Sequence, residues 1–219
     1  MGTRTAQETL DTGVVQVSPM LPLSLLEALR RHDTPPEVLE DEDFTSSLPR
    51  RFGLSDVVLL QIRRYEDAMK RGHDVPVAEV LDLMRLVLRR PDAATILREA
   101  GASVARRHFQ RFRRPTAFNI AGRGLPGAFV FIAIRRTSRR LLNRVLGRGT
   151  LELVGRPLTV RIRHPFTVQA GGDGTACLLF SGVLEELVFL YTRRRERIVH
   201  SSCESWGHPA CEWSLVTDS

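Results

Sequence analysis

Lysine is nearly absent from this chain: Lys70 is the only one, although lysine and arginine together number 32 against 25 carboxylates. So one-sided a choice of cation is what a GC-rich coding sequence gives, and the net charge of +7 therefore carries no nucleic-acid signal by itself. Aromatic residues are also sparse, at 6%. Around the arginine clusters at Arg106-Arg107, Arg111, Arg113-Arg114, Arg135-Arg136, Arg139-Arg140 and Arg193-Arg194-Arg195, only Phe109 and Phe112 interleave. Two phenylalanines in one cluster are not the repeated stacking platform a single-strand binder needs, and no helix-turn-helix or RNA-binding motif is present. The clusters read as solvated helix faces, and a nucleic-acid partner is not expected. Long apolar runs are missing too. Gly127 to Ile134 is the longest and stops at Arg135, well short of the ~20 residues that span a bilayer. Met1 to Asp11 is polar, with no apolar stretch of the kind that opens a secreted protein. The expectation is a soluble, cytoplasmic protein without a membrane span.

Cysteine is scarce but concentrated. Cys177, Cys203 and Cys211 are the whole complement, and His200 lies among them. Three thiols and an imidazole make a complete tetrahedral donor set for zinc. Cys203 and Cys211 flank Trp206-Gly207-His208-Pro209, a turn, and the segments on either side read as strands, which places the two thiols opposite each other across a hairpin. Spacing alone leaves three readings open: a metal site, a cross-hairpin disulfide with Cys177 unpaired, and free thiols packed as small apolar groups. The paired CxxC knuckles of a strong zinc signature are missing.

The remaining pattern is helices first, strands last. Leu21 to Arg31 forms a short amphipathic helix, and Asp33 to Asp43 is an acidic, proline-broken linker; residues 1–54 are taken as an extension and 55–219 as the domain. Ser55 caps a helix that Gly72 stops. Pro76 opens a third, with Val77, Val80, Leu81, Met84, Val87 and Leu88 on one stripe. Asp92 precedes a fourth that runs to Phe112 and contains Gly101, a residue that weakens an open helix by about 1 kcal/mol and so calls for close packing or a ligand. A fifth runs from Gly127 to Leu146. Strands follow at Thr150–Val154, 157–164 and Phe166–Ala170. After a mobile loop at Gly171–Gly174, Ser181 caps a helix running from Gly182 to Arg194. The fold class is α+β: N-terminal helices packed on a small antiparallel sheet, with a C-terminal cysteine-bearing hairpin.

Two patterns lead nowhere. Gly122-Arg-Gly-Leu-Pro-Gly127 is a literal GxGxxG, and Glu152 sits where a ribose carboxylate would, but the alternating βα units of a dinucleotide fold do not follow it. The six histidines, at 32, 73, 108, 164, 200 and 208, make no nucleophile–base set, so catalysis is not indicated.

The segment from Cys177-Leu-Leu-Phe-Ser-Gly through Ile198-Val-His-Ser-Ser-Cys203-Glu-Ser-Trp-Gly-His-Pro-Ala-Cys211-Glu-Trp resembles the end of the 4-vinyl reductase domain family. The spacings from 177 to 200, 200 to 203 and 203 to 211 match those of the zinc ligands in that family's phenol-sensing activators, with His200 standing where those sensors carry a glutamate. Ile96 to Ala105 resembles the family's helix with an Ala-Gly step. The likeness spans about residues 55–216, and only the C-terminal stretch is specific.

The resemblance implies a structural zinc on Cys177, His200, Cys203 and Cys211, with His208 or Glu204 as alternatives for the fourth ligand. It further implies a small apolar or aromatic ligand bound between helices and sheet, where Phe129, Phe131, Phe166, Phe180 and Phe189 could stand. A homodimer and a protein partner for signal output complete the sensory or regulatory module it suggests. A second branch of the family implies a role in bacteriochlorophyll or other tetrapyrrole synthesis. The Tyr-x-Ser-x-Arg signature of the distantly related haem gas sensors is missing after Tyr191.

Overall fold

The computed structural model describes residues 15–33, 56–112, 127–145, 150–154, 158–171 and 173–216. The acidic linker after Asp33, the Ser55 cap, the glycine motif at 122–126 and the side chains of Phe129 and Phe131 lie outside them. The described residues form six helices: α1 (Met20–Asp33), α2 (Asp56–Arg71), α3 (Val77–Leu88), α4 (Ala93–Phe112), α5 (Gly127–Val145) and α6 (Leu178–Thr192). A two-stranded ladder pairs β1 (Gln16–Val17) with β2 (Val75–Pro76). A four-stranded antiparallel sheet joins β3 (Thr150–Val154), β4 (Thr159–Arg163), β5 (Arg197–Ser202) and β6 (Cys211–Val216) in the order β3-β4-β6-β5. The α+β class is as expected.

Each element buries the stripe its sequence offers. In α3 that stripe is Val80, Leu81, Met84 and Val87. In α5 Ile134, Leu141 and Leu142 turn inward, while Arg135, Arg136, Arg139 and Arg140 face out. Val160 and Ile162 of β4 are fully buried and alternate with Arg161 and Arg163. On the other face Arg161 reaches Glu212 at 2.5 Å and Glu152 at 3.6 Å, which are its cross-strand partners in β6 and β3. Helix α1 is an integral part of the core: Leu21, Leu23, Leu25 and Leu26 belong to the same buried cluster as Ile96, Leu97 and Leu179. An ion pair between Arg107 and Glu27 ties α1 to α4.

Helix α6 is apolar nearly all round. By length and composition the window Thr175–Thr192 would suit a membrane, but 61% of it is buried within the fold, as a central core helix requires. It crosses α4 at backbone contact. A Cβ on Gly101 would stand 2.0 Å from the Leu179 carbonyl oxygen, and one on Gly182 would stand 2.0 Å from the Arg98 carbonyl oxygen. Two bare helix surfaces are therefore needed at one crossing, which explains a glycine in the middle of α4.

Two expected elements differ. Phe166–Ala170 is a 3-10 turn, not a strand. The buried residues there are Phe166, Thr167 and Ala170, a helical spacing rather than an alternating one, and Val168 N–H bonds back to the Pro165 carbonyl at 3.1 Å. The last helix begins at Leu178, not at Gly182, so Ser181 is a buried residue inside its first turn rather than a cap. Its true entry is a 3-10 turn over Thr175–Cys177, launched from Gly174 at φ 79°. Asp173 Oδ1 accepts the Thr175 N–H at 2.9 Å and does the work expected of a cap.

Gly101→Ala and Gly182→Ala should each destabilise the fold by about 3 kcal/mol, the upper end for overpacking, read as a fall in the urea unfolding midpoint. An exposed mid-helix Gly→Ala change has the opposite sign, so an unchanged or raised midpoint would refute the crossing. His108, in α4, is buried, and burial together with the nearby Arg144 and Arg140 pulls its imidazole down to about 4. The unfolded chain, titrating near 6.5, then binds the proton first. Stability from this site should be full above pH 6.5 and lost toward pH 4, by on the order of 3 kcal/mol. His108→Gln should flatten that part of the stability–pH curve.

Candidate metal centre

The centre lies where the terminal hairpin meets the start of α6. Cys177 is the residue immediately before α6, its N–H bonded to the Gly174 carbonyl at 3.0 Å. Cys203 follows β5, and Cys211 opens β6. His200 is three residues before Cys203, a spacing that would put the two side chains on opposite faces of a regular strand. A β-bulge resolves this. His200 pairs with Trp213 but Ser202 pairs with Glu212, so one extra residue is inserted between His200 and Ser202. The inserted residue turns His200 and Cys203 to the same face, the face that also carries Cys211 and the fully buried Trp213.

One donor atom from each of Cys177, His200, Cys203 and Cys211 lies within 4.8 Å of every other. The Sγ atoms of Cys203 and Cys211 are 3.5 Å apart and those of Cys177 and Cys203 3.9 Å. Zinc–sulfur bonds of about 2.3 Å in a tetrahedron put sulfurs about 3.8 Å apart. The three cysteines are buried and unbridged, and His200 Nε2 is buried with no hydrogen-bond partner. Orphaned imidazole nitrogens are costly unless something is bound to them. The cluster is able to hold a metal ion.

The surroundings suit sulfur ligands. Glu204 N–H donates to Cys211 Sγ at 3.3 Å, and Thr167 Oγ1 lies 3.2 Å from Cys177 Sγ. After Cys203 the chain makes a 3-10 turn over Glu204–Trp206, with Trp206 N–H and His208 N–H both on the Cys203 carbonyl at 3.0 and 3.2 Å. Gly174 backs the centre: a Cβ there would stand 3.2 Å from Cys203 Sγ and 3.1 Å from Trp206 Nε1. The His200 ring stacks on Trp213 at 4.8 Å between centroids and tilts against Trp206 at 4.9 Å.

Charge in the cluster is unevenly held. A hydrogen bond from Cys177 draws the Cys211 thiol down to about 4, helped by His200 and the Glu204 N–H against the effect of burial. The same contact, with burial, pushes Cys177 up, and burial pushes Cys203 up. Shifts of opposite direction within one cluster reflect the mutual repulsion that three thiolates would have without a cation among them.

Neither alternative fourth ligand is in the cluster. His208 is exposed, its ring edge-on to Trp206. The Glu204 carboxylate turns to His164, accepting its backbone N–H at 2.7 Å and lying 3.5 Å from its Nδ1. That contact holds His164 at φ 55°, a backbone region uncommon for residues other than glycine. Thr167, Gly174 and Trp206 were not foreseen as parts of the site. Only Trp206 left a trace in the sequence, as an aromatic inside a turn.

No protein-family profile matches this chain, and no curated protein matches it. Among solved structures, the chain is similar to an H-NOX protein from S. oneidensis in the Fe(II)NO ligation state, at 12% identity and a TM-score of 0.33 over 93% of this chain and 99% of that one. So low a score supports no inference about fold or function.

Added to metal-free protein, Co²⁺ should give the visible absorption of a tetrahedral, thiolate-rich centre at one equivalent per chain. His200→Ala should reduce its intensity and weaken binding, whereas His208→Ala should leave both unchanged. The reverse pattern would move the fourth ligand to His208.

Proposed function

We propose that the chain is a ligand-binding regulatory module built around a structural zinc, of the kind the resemblance to the 4-vinyl reductase domain suggests. The observation that carries this reading is the closed four-donor set of three buried thiols and one orphaned imidazole. Three thiolates and one imidazole favour zinc over the harder cations, which prefer oxygen. Four protein ligands leave no position for water or substrate, so such a zinc holds structure instead of activating a nucleophile. It would fasten the hairpin to the start of α6, where the loop from Glu204 to Pro209 is half-buried or exposed and contributes little core of its own.

The aromatic interior does not favour a ligand between helices and sheet. Phe166, Phe180 and Trp213 pack edge-to-face, with Phe180 between the other two at centroid distances of 6.0 and 5.4 Å, so these rings serve as core. The ligand is better sought beside the metal centre. Output through a homodimer or a protein partner belongs to the same proposal.

Protein purified without added metal should contain about one zinc per chain. Cys203→Ser should lose both the zinc and a large part of the stability, since binding a structural metal is folding free energy. A zinc-free, folded chain indifferent to the substitution would overturn the reading. A co-purifying pigment with a Soret absorbance would redirect it toward tetrapyrrole synthesis.

A further inference from the structure

We infer that the groove beside the metal centre is a binding site for a small aromatic carboxylate. This deepens the ligand-binding reading above and rests on it. The groove encloses about 290 Å³ between the segment leading into α6 and the edge strand β5, at the lower end of the size that takes a small molecule. Its apolar surface comes from Leu178 and Ile198, and its walls from Trp206 and the His200 ring.

Three features select the ligand. The first is Trp206, 49% exposed yet fixed in place, because its indole N–H donates to the Asp173 carbonyl at 2.9 Å. A large aromatic held rigid with an open face is a stacking platform for another flat ring. The second is Arg197, on the groove wall, whose guanidinium makes no hydrogen bond or ion pair among the described residues. A planar fork of donors with no internal partner suits a carboxylate. The third is Arg98, also in the groove lining and held by Glu185 at 2.8 Å through a single nitrogen. Glu185 is also occupied by the Ile198 N–H at 3.4 Å. One further carboxylate lines the groove, that of Asp173, and its Oδ1 already accepts the Thr175 N–H. Glu185 balances Arg98, and Asp173 is engaged by the Thr175 N–H, so the selection of a carboxylate falls to Arg197, the guanidinium with no ion-pair partner among the described residues.

The test uses the full, metal-loaded chain and three naphthalene probes: naphthoate, the neutral naphthylmethanol and the cationic naphthylmethylamine. Binding is followed by calorimetry and by the fluorescence of the two tryptophans, of which only Trp206 is in the groove. Naphthoate should bind about tenfold or more tighter than the alcohol, with the amine weakest. Arg197→Ala should remove about that tenfold while leaving the metal content and unfolding midpoint unchanged, since the side chain is exposed. Equal binding of acid and alcohol, no binding of any probe, or undiminished naphthoate binding by the variant would each overturn the inference. Metal content keeps the two proposals separable. A zinc-loaded chain that ignores all three probes sinks the groove alone. A chain that never holds zinc yet binds naphthoate through Arg197 sinks the metal reading and upholds the carboxylate site.

Discussion

Two missing side chains, at Gly101 and Gly182, let α4 and α6 meet at backbone distance, and the functional end of the molecule is hung from that crossing. With α6 set so close to α4, the residue preceding it, Cys177, is fixed in depth and direction, and Arg98, one turn before Gly101, is brought against Glu185 of α6. The sheet packs on the far side through Trp213 and Phe180. Neither the metal cluster nor the groove would exist with the helices a side chain farther apart.

The hairpin supplies the other half by a different device. A regular β5–β6 ladder would send His200 and Cys203 to opposite faces, and a single inserted residue brings them together. Bulges of this kind weaken local pairing while re-aiming a side chain, so the segment gains convergence of donors at the expense of intrinsic strand stability. A cation bound by all four donors would offset that loss where hydrophobic burial is thinnest. The arginine excess plays a comparable part elsewhere. Arg107 with Glu27, Arg90 with Asp33 and Asp92, and Arg161 with Glu212 and Glu152 join separate elements. Each partly exposed pair contributes little alone, but together they tie these three arginines into the fold.

Helix stripes and the identity of the donor residues were legible because they follow from local periodicity and side-chain chemistry. The α3 stripe and the alternation in β4 were readable in that way, whereas the grouping of His200 with the three thiols was implied by the family resemblance and not by periodicity. What escaped was context. Phe166–Ala170 carries strand-forming residues, yet Pro165 and the burial of Phe166 and Ala170 together wind it into a turn. Ser181 looks like a cap only if the helix is assumed to begin after it; Asp173 and Gly174, earlier in the chain, start it instead. The bulge at Ser201 has no sequence signature, and the part played by Gly101 required the position of α6, far away in sequence.

The metal centre and the groove share a wall, and that has a thermodynamic consequence. His200 presents its ring to Trp206 on one side and to Trp213 on the other, and it belongs to both the donor set and the groove lining. Binding that fixes that ring at one site would lower the ordering cost at the other. A cation holding His200 would present Trp206 to a ligand in one orientation, and a ligand stacked on Trp206 would hold the 203–211 turn closed over the cluster. Coupling of this sort is reciprocal by necessity. In the regulatory module proposed above, the groove would therefore be the input, because its occupant would bear directly on the segment that a bound metal would order.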